Sequence, residues 1–125
     1  MDIFSRKILS YKISNSLDAQ FCIDALNEAL AKYPSPEIFN TDQVSQFTSE
    51  NFCKIIIDKD IKISMNSTGI ALDNIFVERF FRTIKYENIY LYNYESISVL
   101  FNALNYFFYK YNFLRKHSAL ANLCP

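Results

Sequence analysis

The chain has 125 residues, half of them hydrophobic and 17% aromatic, which is enough apolar material for one core of ordinary size. Its 13 basic and 13 acidic residues cancel, so overall charge gives no sign of the basic surface typical of free-standing nucleic-acid-binding proteins. Cys22, Cys53 and Cys124 match no metal-ligand spacing, and no apolar run reaches the roughly 18 residues of a membrane helix. We expect a single domain, residues 1–125, in the reducing cytoplasm and without a membrane partner.

The opening of the chain has the pattern of a sheet. Residues 1–13 predict the end of one strand, a polar turn at residues 5–7 and a second strand. In that second strand Leu9, Tyr11 and Ile13 alternate with other residues and therefore share one face. The chain is thus expected to begin within a sheet.

A helix is predicted next, because apolar residues recur with helical spacing. Ser16 is a suitable N-cap, Asp18 lies in the first turn, and Pro34 and Pro36 end the helix. The apolar stripe consists of Leu17, Phe21, Cys22, Ala25, Leu26, Ala29, Leu30 and Tyr33.

A short segment between helical patterns predicts a buried strand. Residues 37–42 have Ile38 and Phe39 at their centre, as in a strand of an α/β sheet. Asp42 then lies at the C-terminal end of that strand.

The middle of the chain continues with a helix and an edge strand. Thr48 is the predicted cap of a helix, and residues 61–65 alternate strictly, as in a strand with one buried face. Residues 66–69 contain the only glycine and are the expected mobile loop. The residues that the helix should bury are Phe52, Cys53, Ile56 and Ile57.

Two helices are predicted in the last third of the chain. Asp73 caps the first and Asn93 opens a longer second one. The inward residues of the first are Val77, Phe80, Phe81 and Ile84, and those of the second are Ile97, Leu100, Phe101, Leu104, Phe108 and Tyr111. Helices and strands together predict an α/β protein.

Asp42 and Glu78 are the candidate pair for metal chemistry. Mg²⁺ prefers hard oxygen ligands, and a strand end with a facing helix can bring two carboxylates together. Arg82 and Lys85 share the helix face of Glu78 and could hold a phosphate backbone beside the metal. From spacing alone, the favoured interpretation is an ordinary turn aspartate and a solvated Glu78–Arg82 salt bridge.

Three segments change that balance, because they closely resemble the integrase-core transposases of bacterial insertion sequences. They read NTDQVSQFTS at residues 40–49, LDNIFVERFFRTIKYE at 72–87 and YNFLRKHSAL at 111–120. The opening DIFSRKI at residues 2–8 matches the same family. The resemblance therefore runs over essentially the whole chain in the right order.

The resemblance implies a ribonuclease-H-like fold, a mixed sheet flanked by helices with a long C-terminal helix. It also implies an Asp, Asp, Glu triad that binds two Mg²⁺ or Mn²⁺ ions, with Asp42 second and Glu78 third. Such enzymes cleave phosphodiesters and transfer DNA strands during transposition. The implied partners are DNA, as transposon ends and target, and other transposase subunits. The implied DNA-binding residues are Gln46, Arg79, Arg82, Lys85, Arg115 and His117.

The sequence departs from the family pattern at several places. The family's first catalytic aspartate lies upstream of the segment that residues 2–8 resemble, and Asp2 is not that residue. We therefore expect an N-terminally truncated core, without the first strand and most of the second, that is inactive alone. Val44 replaces the family's glycine after Asp-Gln and should distort that loop, and Lys116 replaces the proline before His117.

Two rival functions remain open at this point, so assignment as an enzyme is undecided. One is a non-catalytic partner or inhibitor that docks on full-length transposase through the final helix. The other is a weak nuclease with Asp73 as a substitute carboxylate. His117 is the only histidine, and a lone histidine is more often structural than catalytic. The aromatic stripe of Tyr106, Phe107, Phe108, Tyr109 and Tyr111 is expected to be chiefly core or an interface.

Overall fold

A computed structural model describes residues 1–16, 18–42, 44–65 and 75–125. Its contacts divide the chain into two compact units. We call Leu9–Asn74 the central unit, and Met1–Ile8 together with Ile75–Pro125 the terminal unit. The single domain expected over residues 1–125 stays a prediction.

The central unit alternates helices and strands. Its elements are α1 (Gln20–Lys32), β1 (Ile38–Thr41), α2 (Glu50–Ile57) and β2 (Lys62–Met65). The two strands pair in parallel, with Ile38 opposite Lys62 and Thr41 opposite Met65. A parallel pair needs a crossover, and α2 supplies it. In this β-α-β unit, β1 ends just before Asp42.

The core of the central unit is apolar and lies between its helices and strands. Phe52 and Ile56 are almost completely buried, because positions four apart lie on the same face of α2. Phe39 and Phe47 meet the Phe52 ring edge-on, at centroid distances of 5.8 and 5.3 Å. Burying a large side chain of this kind stabilises a fold by about 1.5–3 kcal/mol. The buried cluster consists of Cys22, Leu26, Phe52, Ile56 and Ile61.

The strand predicted for residues 9–13 is wrong. These residues form no strand, and side chains attach them to α1 instead. The Ser10 hydroxyl donates to the Ala25 carbonyl at 2.7 Å, and the Lys12 ammonium lies 2.7 Å from the Glu28 carboxylate. Polar side chains therefore hold this segment against α1, without the backbone hydrogen bonds of a strand.

The predicted first cap of the central unit is wrong, although the helix is confirmed. The Ser16 hydroxyl donates to Asp18, whose other carboxylate oxygen accepts from the Gln20 N–H at 3.0 Å. That local bonding starts α1 at Gln20, while its end at Lys32 agrees with the prolines. Leu17, predicted for the apolar stripe, lies outside the described residues.

The predicted cap of α2 is also wrong. The Thr48 hydroxyl donates back to the Ser45 carbonyl at 3.3 Å, so α2 begins at Glu50 with Ser49 before it. Ile57, predicted to be buried, is 62% exposed on the opposite face of α2 from Ile56. Local side-chain bonding decides where this helix begins.

Strand β1 is confirmed, but it is less buried than predicted. Ile38 is 58% exposed, and only Thr41 is buried. Strand β2 is confirmed within residues 61–65, where Ile61 joins the core just before the strand begins.

The terminal unit is helical. It contains α3 (Ile75–Ile84), a π-helical turn (Lys85–Ile89) that continues it, α4 (Ile97–Phe113) and a 3₁₀ turn (Ser118–Leu120). Both predicted helices are confirmed, but the longer one begins after Ser96, whose hydroxyl accepts from the Val99 N–H. The π-helical turn was not predicted.

The aromatic core of the terminal unit joins α3 and α4. The Phe80 ring lies 5.8 Å from Phe108 and 4.7 Å, edge-on, from Tyr111. Phe81, predicted to face inward, is 55% exposed because it follows Phe80 by one position and so lies on another face of α3. Ile97 and Phe101, also predicted inward, are exposed on α4.

The opening residues join the terminal unit through one asparagine. The Asn112 side chain accepts from the Ile8 N–H and donates to the Ile8 carbonyl, both at 2.9 Å. Ile8 and Asn112 are both buried, so each polar group finds its partner away from water. The strand end predicted at residues 1–4 is wrong, since a turn occupies residues 3–5.

The described residues therefore form an α/β arrangement with a long C-terminal helix of 17 residues, as predicted. Within them the sheet is the parallel pair β1–β2. The loop predicted at residues 66–69 and the cap predicted at Asp73 lie outside the described part. Among the described helices, none is long and apolar enough to cross a membrane.

Candidate functional site

Asp42 directly follows β1 and is exposed. Among the described residues its carboxylate has no hydrogen bond or ion pair. The next described residue, Val44, does not have a positive φ, and its carbonyl accepts from Phe47 and Thr48 at 3.0 and 3.2 Å. The turn from Val44 to Thr48 is thus one that a β-branched residue can adopt.

Glu78 lies in the first turn of α3 and is exposed. Arg82 and Lys85 follow at positions four and seven further on and are also exposed, while Phe80 and Ile84 face the core. Within the described part of the chain, Glu78 forms no ion pair with Arg82, whose guanidinium lies 5.7 Å from the Tyr86 ring instead. The salt bridge that spacing alone suggested between Glu78 and Arg82 is therefore not observed.

Asp42 and Glu78 belong to different units, so their convergence stays a prediction. Both offer exposed carboxylate oxygens, which are the donors that Mg²⁺ and Mn²⁺ prefer. No group of three or more histidine, cysteine, aspartate or glutamate residues suited to a metal occurs among the described residues. The oxygen donor set of the pair fits a hard divalent cation.

Gln46 lies in the turn after Asp42 and is half-buried. Its backbone carbonyl accepts from the Ser49 hydroxyl at 3.0 Å, and its side-chain oxygen accepts from Ser45 at 3.3 Å. These bonds hold the turn that leads into α2. The predicted DNA contact of Gln46 is not tested by them.

A cavity of about 160 Å³ in the terminal unit brings several of the predicted DNA-binding residues together. Arg79, Arg115 and His117 all line it, although Arg79 lies on α3 and the other two follow α4. Arg82 and Lys85 do not line it. The remaining lining residues are Met1, Arg6, Phe76, Phe80, Thr83, Tyr111, Ser118 and Ala119.

Arg115 is fixed in orientation at the cavity. Its guanidinium forms a two-pronged ion pair with Glu87, the longer bond measuring 2.9 Å. This hydrogen bonding raises the pKa of Arg115. Because both side chains are partly exposed, the pair contributes only about 0–1 kcal/mol to stability. Its main effect is to orient the guanidinium.

His117 is half-buried, and its environment disfavours the charged form. Its ring meets Tyr111 edge-on at a centroid distance of 4.9 Å, and its Nε2 is buried without a hydrogen-bond partner. Burial, followed by the positive charge of Arg115, lowers the pKa of His117. The imidazole therefore stays neutral to a lower pH than a free histidine.

Arg6 is a cavity residue that the sequence did not reveal. Its backbone has φ 67°, in the left-handed region, and its guanidinium lies 3.4 Å from the Phe76 ring centroid. Its Nη1 is buried and has no hydrogen-bond partner. Asp2 holds the preceding turn by accepting from the Ser5 N–H at 3.0 Å. The only signal in the sequence was a basic residue within the matching opening segment.

Comparison with known proteins assigns the family. Two family models, both described as integrase core domain, match residues 1–70 and residues 59–125. The chain therefore belongs to the integrase core domain family. The fold also agrees: the catalytic core of HTLV-2 integrase, solved with magnesium in a trimeric form, aligns with a TM-score of 0.71 at 23% identity. That alignment covers 92% of this chain and 72% of the viral chain.

Within that family the sequence relatives are transposases of insertion sequences. Transposase InsF of insertion sequence IS3A from Escherichia coli K12 is 31% identical over 128 residues. The putative transposase InsK of IS150, from the same strain, is 32% identical over 127 residues. Both alignments cover all of this chain but only 44% and 45% of the relatives, so the chain spans less than half of their length. The predicted recognition as an insertion-sequence transposase with an integrase-type core is confirmed.

Proposed function

We propose that this chain supplies part of the catalytic core of a DNA transposase, with Asp42 and Glu78 as ligands of one shared Mg²⁺ or Mn²⁺ ion. The observation that carries the proposal is a pair of exposed carboxylates that form no ion pair with any described residue, one after a parallel strand and one in the first turn of α3. Both occur in a chain of the integrase core family. The magnesium bound by the HTLV-2 integrase core supports the choice of metal.

The metal, when bound, supplies Lewis-acid polarisation of a phosphodiester and a more acidic water. The residues of this chain would supply oxygen ligands to the metal and hold the DNA backbone beside those ligands. Two carboxylates can neutralise one dication, whereas two ions need further anionic ligands. We therefore expect the chain alone to bind one ion and to cleave DNA no faster than background.

DNA is the proposed substrate, at transposon ends and at the target. Arg79 and Arg82 are exposed on α3, which carries Glu78, and Lys85 is exposed at the start of the π-helical turn that continues it. Cations at these positions can contact successive phosphates. Gln46, Arg115 and His117 are proposed as further contacts. We also propose that this activity belongs to the cytoplasm, where bacterial DNA lies.

The test is DNA binding with and without metal. Fluorescence anisotropy of a labelled duplex should show tighter binding when Mn²⁺ is added, because Asp42 and Glu78 would hold the ion and its charge would favour the phosphates. Asp42→Asn should abolish this gain, and Asp58→Asn, which changes an exposed carboxylate elsewhere in the central unit, should retain it. An unchanged metal response in Asp42→Asn contradicts the proposal.

A second candidate function is a non-catalytic partner that docks on subunits of a full-length transposase. The observation in its favour is the exposed apolar face of α4, where Tyr106 is 63% exposed rather than part of the core. Its other exposed residues are Ile97, Phe101, Tyr109 and Phe113. The trimeric form of the HTLV-2 integrase core supports association between subunits.

Mixing experiments separate the two candidates. The docking function is favoured if the chain binds an intact transposase and lowers its strand-transfer rate, and if Asp42→Asn has the same effect. The weak-nuclease alternative depends on Asp73, which lies outside the described residues, and it stays a prediction.

A further inference from the structure

We propose that the cavity lined by Arg6, Arg115 and His117 is a binding site for one phosphate group. Its source is a DNA backbone phosphate or free inorganic phosphate. The anion site rests on the geometry of the terminal unit alone, whereas a DNA source rests on the function proposed above.

Two unsatisfied nitrogen atoms point to a missing ligand. Arg6 Nη1 and His117 Nε2 are both buried and have no hydrogen-bond partner among the residues that the structure describes. Buried polar atoms in folded proteins are nearly always bonded, because leaving one unpaired costs free energy. Both atoms belong to residues that line the same cavity. A phosphate oxygen can accept from Arg6 Nη1, and it can accept from His117 Nε2 when that nitrogen carries a proton.

The charge of the cavity selects an anion. Arg6, Arg79 and Arg115 line it together with His117, and no acidic residue is among its lining residues. Glu87 pairs with Arg115 but does not line the cavity. A planar guanidinium with several donors suits phosphate oxygens. The volume of about 160 Å³ accommodates one phosphate group.

Arg6 is held in place at a conformational cost. Its positive φ is unfavourable for a residue with a Cβ atom, and such strain persists only when the surroundings impose it. The Asp2 turn and the Phe76 ring supply those constraints. The result is a guanidinium that is already positioned before a ligand arrives, which lowers the entropy lost on binding.

The single histidine gives a direct readout of the site. We expect its ring carbon–hydrogen NMR signal to shift in a saturable way when inorganic phosphate is added at constant ionic strength, and sodium chloride should produce no such shift. Bound phosphate should also raise the pKa of His117, since an anion favours the imidazolium. This second measurement needs no variant. Absence of both responses overturns the proposal.

Variants locate the effect. Arg6→Gln should remove the saturable shift, and Arg6→Lys, which keeps the charge but loses the fork, should weaken it about tenfold. Lys116→Gln is the matched control, because Lys116 is exposed, adjacent to His117 and outside the cavity lining. The proposal is also overturned if Lys116→Gln loses the saturable shift of the His117 signal, or if folded Arg6→Gln retains it. Circular dichroism checks folding.

A DNA titration distinguishes the sources and the two proposals. If duplex DNA shifts the His117 signal, and Arg6→Gln lowers the salt slope of DNA binding by about 0.9, the site holds a backbone phosphate. If DNA binds by anisotropy without moving this signal, and inorganic phosphate does not move it either, the inference fails while the proposed function stands. If inorganic phosphate shifts it but DNA does not bind, the anion site stands and the proposed function fails.

Discussion

The central and terminal units bury different kinds of side chain. In the central unit the buried cluster is apolar, and the ion pairs of Lys12 and Lys32 with Glu28 lie on the surface of α1. In the terminal unit Asn88 and Asn112 are buried, and their side chains form hydrogen bonds with the Tyr94 hydroxyl and with the Ile8 backbone, respectively. Both cores therefore depend on non-directional apolar burial, and the terminal unit adds buried hydrogen bonds of fixed geometry.

The largest expected effect breaks the central core. Phe52→Ala should lower the free energy of unfolding by about 3–5 kcal/mol, because it removes a ring that Phe39 and Phe47 enclose and leaves a cavity. Urea denaturation measures it. Ile57→Ala, on the exposed face of the same helix, should cost less than about 1 kcal/mol. Equal losses would show that the core does not lie where the structure has it.

The next effect tests the polar core of the terminal unit. Asn112→Ala leaves the buried N–H and carbonyl of Ile8 without partners, and we expect a loss of about 2–4 kcal/mol. Asn102→Ala is the control, since Asn102 is exposed on the same helix. Urea denaturation of both variants gives the difference. A loss no greater than that of the control would mean that Asn112 does not hold the opening residues.

A smaller effect depends on pH. The pKa of folded His117 is lowered below the free value of 6.5, chiefly by burial, so the unfolded chain takes up the proton first as the pH falls. The stability that His117 contributes is therefore complete above pH 6.5 and is lost as the pH falls through the folded pKa. Thermal melts between about pH 7.5 and pH 5.5 should show this loss, and His117→Gln should reduce it. An equal pH dependence of stability in the unchanged chain and in His117→Gln would mean that His117 is not its source.

The same contrast explains what the sequence could predict. The order α1, β1, α2, β2 followed from periodic apolar residues such as Phe52 and Ile56, whose burial depends on spacing alone. The caps at Ser16 and Thr48 were wrong, because each hydroxyl donates to a nearer acceptor. Periodicity carries no information about that competition.

The candidate site was predictable only in part. Asp42 at a strand end and Glu78 in the first helical turn follow from pattern and family resemblance. Arg6 does not, because its position depends on a positive φ and on a ring at Phe76, far along the chain. The π-helical turn was missed for a similar reason, since buried Asn88 accepts there from the Tyr94 hydroxyl.

The most direct test of the central claim is the number of Mn²⁺ ions bound, measured by electron paramagnetic resonance or calorimetry. If Asp42 and Glu78 share one ion, the chain binds one Mn²⁺, and Asp42→Asn and Glu78→Gln each weaken it at least about tenfold, whereas Asp58→Asn does not. Two ions in the unchanged chain, with one retained at full affinity in each single variant, would mean that the carboxylates act separately.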